Sequence, residues 1–408
     1  MSDRSDRICI VGAGPGGLAA AAAMQSRGVP FDIIDAGQEL GGIWDIDRPG
    51  TPMYDSAHFI SSKTLSGLPG FPMPDHYPDY PGHTEVLAYV RAYAREHDLE
   101  RHVTSGRRVV AAKPEPDEGW SIDLDSGETR IYAGLCAATG SNWHPLTAEV
   151  AGDFDGEAYH SQRYRSREEF RGKRVLIVGG GNSGCDIACD AAQSADRAFI
   201  SLRRGYHFIP KYVLGKPSDV FAHTGPTLSA WLEQRVFSFL IGRLLVGDLT
   251  KYGLPKPDHP ILESHPIMNT EILEHLEKGR LEVRPDIEEL RGDSVAFTDG
   301  TEERIDLILW ATGYERRYPF LDAADLDIRD GAIDLFLNSV SSAPPRSVLH
   351  RPVRDGRRGI PTIRPSSRPH STLPRCAPGR GLGRRVRPTA GHGVSRPEGW
   401  AALCTPTT

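Results

Sequence analysis

One stretch near the start of the chain restricts its fold more than any other: Ile8-Cys9-Ile10-Val11-Gly12-Ala13-Gly14-Pro15-Gly16-Gly17. A β-branched apolar run enters a Gly-x-Gly-x-x-Gly turn at Gly12, Gly14 and Gly17, and an alanine-rich helix follows from Leu18 to Gln25. A second apolar run, from Phe31 to Ile34, ends in the carboxylate of Asp35, at the spacing that suits a ribose. The glycines have separate jobs around a pyrophosphate. One makes the tight turn, one admits the ligand to the backbone, and one lets helix and strand touch. Pro15 and Gly16 lie inside this turn, where the helix N-terminus offers free N–H groups to the phosphates.

The same order returns later in the chain. Arg174 to Val178 is an apolar strand that enters Gly179-Gly180-Gly181-Asn182-Ser183-Gly184 and then a helix through Ala192; Gly179, Gly181 and Gly184 each stand 167 positions after their counterparts. The two halves also close alike. Arg107 to Ala112 reads as a strand, Trp120 to Leu124 and Thr129 to Tyr132 as a hairpin, and the next apolar strand ends in Ala138-Thr139-Gly140. A hairpin around Asp299-Gly300 and a strand from Ile305 to Trp310 lead into Ala311-Thr312-Gly313.

This repetition predicts an α/β fold of two Rossmann-like dinucleotide-binding domains, each with a β-meander insertion. Residues 1–155, completed by about 305–338, form the first domain, and residues 156–304 the second. Two nucleotide sites in one enzyme point to a flavin and a nicotinamide exchanging a hydride, with the nicotinamide on the second site. The preference for NADPH rests on Arg203 and Arg204, which stand after Ala198 to Leu202 where a carboxylate would otherwise be; cations there suit a 2′-phosphate. Two solvated surface arginines are the plainer alternative.

Other stretches add candidates. Gly41-Gly42-Ile43-Trp44 pairs glycines that admit a ligand with a flat apolar ring. Tyr54 to Gly82 is a long aperiodic excursion rich in Pro, Gly and aromatic residues, of the kind that carries function inside a compact domain. Thr84 to Leu99 reads as a helix with Thr84 as N-cap, and Asn269 to Lys278 as another. Six cysteines without a Cys-x-x-Cys pair, and no signal peptide, predict a reducing, cytoplasmic setting; Cys185 and Cys189 share a helix face as small core residues. No run reaches the roughly 18 apolar residues of a membrane span. Leu228 to Leu249 is apolar on most faces and reads as a buried or subunit-contacting helix, which leaves an oligomer open; a membrane-surface or substrate-entry element is the other reading.

A net charge of −6 argues against nucleic acid as a partner, but it conceals an asymmetry. Asn338 to Thr408 holds thirteen Arg, no Lys, one Asp and one Glu, a charge of +11 that leaves −17 for the rest. With eleven Pro, eight Gly and one aromatic residue, Trp400, this tail is predicted to be disordered. A basic tail that binds a partner is one reading. Translation of a GC-rich gene in a shifted frame explains the composition better.

Between the two halves, Phe154-Asp155-Gly156-Glu157-Ala158-Tyr159-His160-Ser161-Gln162-Arg163-Tyr164-Arg165 fits F-x-G-x-x-x-H-x-x-x-Y-[KR]. With Gly41 to Trp44, Ser61-Ser62-Lys63, Phe71-Pro72 and Ala311 to Tyr314, the chain resembles the flavin-containing monooxygenases over roughly Asp6 to Asn338. The related Baeyer–Villiger enzymes carry Trp where this chain has Tyr164, which favours oxygenation of nitrogen or sulfur. The resemblance implies FAD on the first turn and Asp35, NADPH on the second turn and the arginines, and His160 organising the cleft between domains. It further implies that O₂ forms a C4a-hydroperoxyflavin, which oxygenates a small organic substrate. No triad or metal cluster is expected. Ile60 stands where the family commonly has an asparagine facing the flavin, and beyond Asn338 the expected strand and helix are missing. A Baeyer–Villiger ketone monooxygenase, or a C-terminally damaged remnant that only oxidises NADPH, are the alternatives.

Overall fold

A computed structural model describes residues 6–115, 119–223, 247–259 and 266–322, together with five two-residue strands, the last two being Val340–Ser341 and Val348–Leu349. The Leu228–Leu249 segment lies outside the described residues apart from its last three positions, as do residues 350–408.

Strand β1 (Ile8–Val11) runs through the glycine turn into helix α1 (Pro15–Gln25). The helix starts three residues before the position its apolar run indicates. Proline fits the first helical position, where no N–H is needed and φ is already set. Strand β2 (Phe31–Ile34) pairs with β1 in parallel register. Helix α2 (His83–Glu96) buries Val86, Tyr89, Val90 and Tyr93. Its N-cap is Gly82 rather than Thr84, because the ladder already begins at the Gly82 carbonyl, which accepts from Val86 N–H at 3.0 Å. The Thr84 hydroxyl turns to the Glu85 carboxylate instead.

Strand β3 (Val103–Thr104) extends the sheet beyond β2. Strands β4 (Val109–Glu115), β5 (Gly119–Leu124) and β6 (Thr129–Tyr132) form the antiparallel meander, and β7 (Gly134–Ala137) returns to pair with β1. Side-chain alternation along the strands sorts the core into layers. Ile10, Ile33 and Cys136 face the helices, whereas Cys9, Val11, Ile34 and Leu135 face Trp120, Ile122 and Tyr132 of the meander.

After β8 (His144–Pro145) and β9 (Ala151–Phe154), the second half repeats this plan. Strand β10 (Glu157–His160), Leu307–Trp310, β11 (Arg174–Val178), β12 (Arg197–Ser201) and Glu282–Arg284 lie side by side in that order, all parallel. Helix α3 (Asn182–Ser194) covers one face. On the other face, Leu176, Val178 and Phe199 meet Val295 and Phe297 of a second meander.

Three expectations from the sequence are corrected here. Residues 305–310 do not complete the first domain: Leu307–Trp310 sits between β10 and β11 in the second sheet, the place β7 takes in the first. Likewise β9 already pairs with Ile287–Gly292 of the second meander, so the chain crosses over before residue 151. The first sheet also does not end unclosed at Asn338. Val348–Leu349 pairs in parallel with β7, Val348 opposite Cys136 and Leu349 opposite Ala137, on the edge that β10 covers in the second half.

Candidate functional site

Each glycine turn is locked by the alanine of an Ala-Thr-Gly sequence. Gly12 has φ +112, and a Cβ there would lie 2.4 Å from the Ala138 carbonyl oxygen; Gly179 has φ +116 and stands 2.4 Å from Ala311 in the same sense. Cβ atoms at Gly17 and Gly184 would come within 1.8 and 2.2 Å of the Gly12 and Gly179 carbonyl oxygens. These four positions are matters of packing. Gly14 and Gly181 differ: the nearest atom to a Cβ at Gly14 is 3.5 Å away, and nothing lies within 4 Å of one at Gly181. Gly41 donates its N–H to the Ala13 carbonyl at 3.2 Å, and Gly42 packs on Gly14, where a Cβ would meet Cα at 2.9 Å.

Above the first turn lies a cleft of about 670 Å³, the size of a cofactor site. Gly12, Gly14, Pro15, Gly16 and Asp35 line one end. Gly42, Ile43, Trp44, Ile60, Thr139 and Gly140 line the rest. Asp35 is buried; its Oδ2 accepts from Ala13 N–H at 2.5 Å and its Oδ1 from Gly37 N–H at 2.6 Å. Arg48 completes the set with a 2.8 Å ion pair to Asp35, its guanidinium 4.9 Å above the Trp143 ring. No local pattern marks Arg48 in the sequence.

Two buried polar atoms of this cleft, Arg48 Nη1 and Thr139 Oγ1, have no partner among the described residues. Buried donors of this kind are rare without an unseen partner. The pyrophosphate and hydroxyl oxygens of a dinucleotide would supply acceptors, so the residues present fit FAD. Replacing Asp35 with alanine strands Arg48 and two backbone donors. Asp35→Ala is therefore expected to purify with less flavin and to lose about 3–5 kcal/mol of stability; flavin absorbance after gel filtration and thermal melting check both.

A second, smaller cavity of about 30 Å³ lies where the two halves meet. Asn182, Ser183 and Asp186 of α3 line it opposite Tyr54 and His58. Trp44, Ile60 and Asn142 wall both cavities. Asn142 and Asp186 were not found from the sequence, since neither belongs to a spaced motif of its own.

In the interdomain signature, Gln162 lines the first cleft, whereas His160 and Tyr164 act on backbone and packing. His160 Nδ1 accepts from Gln162 N–H at 3.1 Å, which leaves Nε2–H to donate to the Gly313 carbonyl at 3.0 Å. Burial pushes the imidazole pKa down, so the ring is neutral. It ties β10 to the second Ala-Thr-Gly turn, instead of facing the cleft between domains. Tyr164 is fully buried, stacks on Phe170, and donates to Asp190 Oδ2 at 2.9 Å. Ser56 of the first half donates to the same oxygen at 2.5 Å, so this carboxylate joins the halves. The Thr312 hydroxyl bonds the Leu146 carbonyl. Arg203 and Arg204 are exposed just past β12; the Arg204 guanidinium lies 5.2 Å from the ring of Tyr206, and that ring covers Gly180 of the second turn.

Paired nucleotide folds that share a cleft define a flavin-dependent oxidoreductase. The family model described as FMO-like, flavin-binding monooxygenase-like, matches residues 5–349, and the chain belongs to that family of flavin-dependent monooxygenases. The match extends past Asn338 to the strand Val348–Leu349, which the resemblance read from sequence did not reach. The chain is 34% identical over 336 residues to indole-3-pyruvate monooxygenase YUCCA1 of Oryza sativa subsp. japonica, covering 79% of this chain and 80% of the relative. It is 30% identical to flavin-containing monooxygenase 5 of Homo sapiens, covering 78% of this chain and 63% of that one. Among solved structures, a flavin-containing monooxygenase from Stenotrophomonas maltophilia shares the fold with a TM-score of 0.66 at 24% identity, over 85% of this chain and 90% of that chain. No described helix is long and apolar enough to cross a membrane, and the described residues hold no cluster suited to a metal ion.

Proposed function

We propose that the chain is an NADPH- and O₂-dependent FAD monooxygenase that oxygenates nitrogen or sulfur in a small, uncharged organic substrate. Bound FAD would supply the redox chemistry, accepting hydride from NADPH and activating O₂, with one oxygen atom going to the substrate and the other to water. The first half would hold FAD through the Gly12–Gly17 turn, Asp35, Arg48 and Thr139. The second half, residues 156–304 with Leu307–Trp310 in its sheet, would hold NADPH through Gly179–Gly184, Arg203 and Arg204. The observation that carries the substrate class is the wall common to both cavities. Trp44, Ile60 and Asn142 present no charge, and the apolar Trp44 and Ile60 would help exclude water from the reacting centre. A reducing, cytoplasmic setting belongs to the same proposal and accords with the free, buried Cys9, Cys136, Cys185 and Cys189.

The relatives named for indole-3-pyruvate favour a second reading, attack on the carbonyl of a 2-oxo acid. Product analysis with a thioether and with a 2-oxo acid separates the two: sulfoxide formation supports the first, and decarboxylated acid without sulfoxide overturns it. The nicotinamide preference is tested separately. Losing a charged hydrogen-bonded contact costs roughly 1.5–3 kcal/mol. The Arg203→Ala, Arg204→Ala double variant should therefore lose roughly 10–150-fold in preference for NADPH over NADH in anaerobic flavin reduction. An unaltered preference would remove both arginines from the site.

A further inference from the structure

The carboxylate of Asp186 has no part in the reading above. It sits one turn into α3, on the same face as Asn182, at the i and i+4 positions of the helix. Asn269 Nδ2 donates to its Oδ1 at 2.6 Å, which fixes the plane of the carboxylate. Its Oδ2 accepts no hydrogen bond among the described residues, and Asp186 lines the small cavity. The Lys211 ammonium does not take that place. His58 Nε2 is paired with Lys211 Nζ at 2.7 Å, and both act on Asp186 only through space.

The position of the cavity identifies its occupant. A dinucleotide gripped by Gly179–Gly184, with its adenosine end toward Arg203 and Arg204, must send its other end away from the arginines. Asn182, Ser183 and Asp186 of the helix that follows the turn line the small cavity together with Trp44, Ile60 and Asn142, which also border the flavin cleft. A space of about 30 Å³ takes one or two waters or a small planar polar group, not a whole substrate.

We propose that Asp186 Oδ2 accepts a hydrogen bond from the carboxamide of the nicotinamide and so positions the ring for hydride transfer toward the flavin cleft, with Asn269 holding the carboxylate. This rests on the NADPH reading of the second half. Burial raises the carboxyl pKa; in its ionised form the group would also favour the positive charge the ring gains as hydride leaves.

The test compares two ligands on the oxidised, FAD-loaded full chain: NADP⁺, and 2′,5′-ADP, which carries the adenosine end without nicotinamide. Asp186→Ala should weaken NADP⁺ by about tenfold or more in calorimetry, on the scale of one charged hydrogen bond, and 2′,5′-ADP by less than about twofold. Single-turnover flavin reduction by NADPH should slow by a similar factor at saturation. Asp186→Asn keeps an acceptor oxygen and should recover part of the loss; it also serves if Asp186→Ala does not fold. Unchanged NADP⁺ affinity and reduction rate overturn the inference, as does equal weakening of both ligands, which would mean that Asp186 supports the helix only. A wild-type chain that binds neither ligand removes the NADPH reading itself, and this inference with it.

Discussion

Replacing Gly14 with alanine is expected to weaken flavin binding and leave the fold as stable as before, whereas replacing Gly17 is expected to destabilise the fold itself. Both glycines belong to one turn, yet they meet different surroundings. Gly14 has φ −80, which any residue adopts, and a Cβ there would make only ordinary contact with Gly42 at 3.5 Å. What it would intrude on is the cleft itself, where the helix N-terminus must come close to a pyrophosphate. A loss of at least about tenfold in FAD affinity, about 1.4 kcal/mol, is expected, with the melting temperature of the flavin-free protein nearly unchanged. At Gly17 the added atom would stand 1.8 Å from the Gly12 carbonyl oxygen, a backbone atom that cannot turn aside. Helix α1 would have to lift off β1, at a cost of about 3 kcal/mol or more. Melting should then fall by on the order of 6–12 °C whether or not FAD is present. Equal melting of the two variants would contradict this division of roles.

That contrast marks how far the sequence could be read. The two turns were legible because their chemistry is local: glycine spacing, an apolar strand before and a helix after are all contained in about 30 residues. The duplication was legible for the same reason, and it extends to the Ala-Thr-Gly endings, although their purpose appears only in space, as Ala138 and Ala311 close on Gly12 and Gly179. Arg48, Asn142 and Asp186 were not legible. Each gains its meaning from a partner far along the chain, such as Trp143 for Arg48 or Asn269 for Asp186. The signature around His160 and Tyr164 was found by its pattern, but the pattern does not state the task. The structure gives these two side chains a carbonyl and a buried carboxylate to hold, at Gly313 and Asp190. The strand Val348–Leu349 was missed because two residues carry no period, and the arginine-rich composition around them conceals it.

That strand yields the other large expected effect. A chain ending at Leu349 should keep its flavin, and one ending at Asn338 should lose it. The shorter chain lacks Val340–Ser341 and Val348–Leu349, so the outer edge of β7 would be left with unpaired N–H and C=O groups. Leu135, Cys136 and Ala137 are almost completely buried, and Ala138 and Thr139 follow at once, the first closing on Gly12 and the second lining the cleft. Disturbance of β7 therefore reaches the flavin site within two residues. Two or three ladder hydrogen bonds at about 1 kcal/mol each amount to on the order of 2–3 kcal/mol, roughly 30–150-fold in FAD affinity if the whole effect falls on binding. An opened site also admits water, so a larger share of the NADPH oxidised should appear as H₂O₂. Flavin absorbance after gel filtration and H₂O₂ released per NADPH are the two readouts. Equal flavin content in the two truncated chains would show that the first sheet does not need this strand. Flavin loss already at the Leu349 end would instead place part of the flavin site in residues 350–408, beyond the last residue that the family match includes.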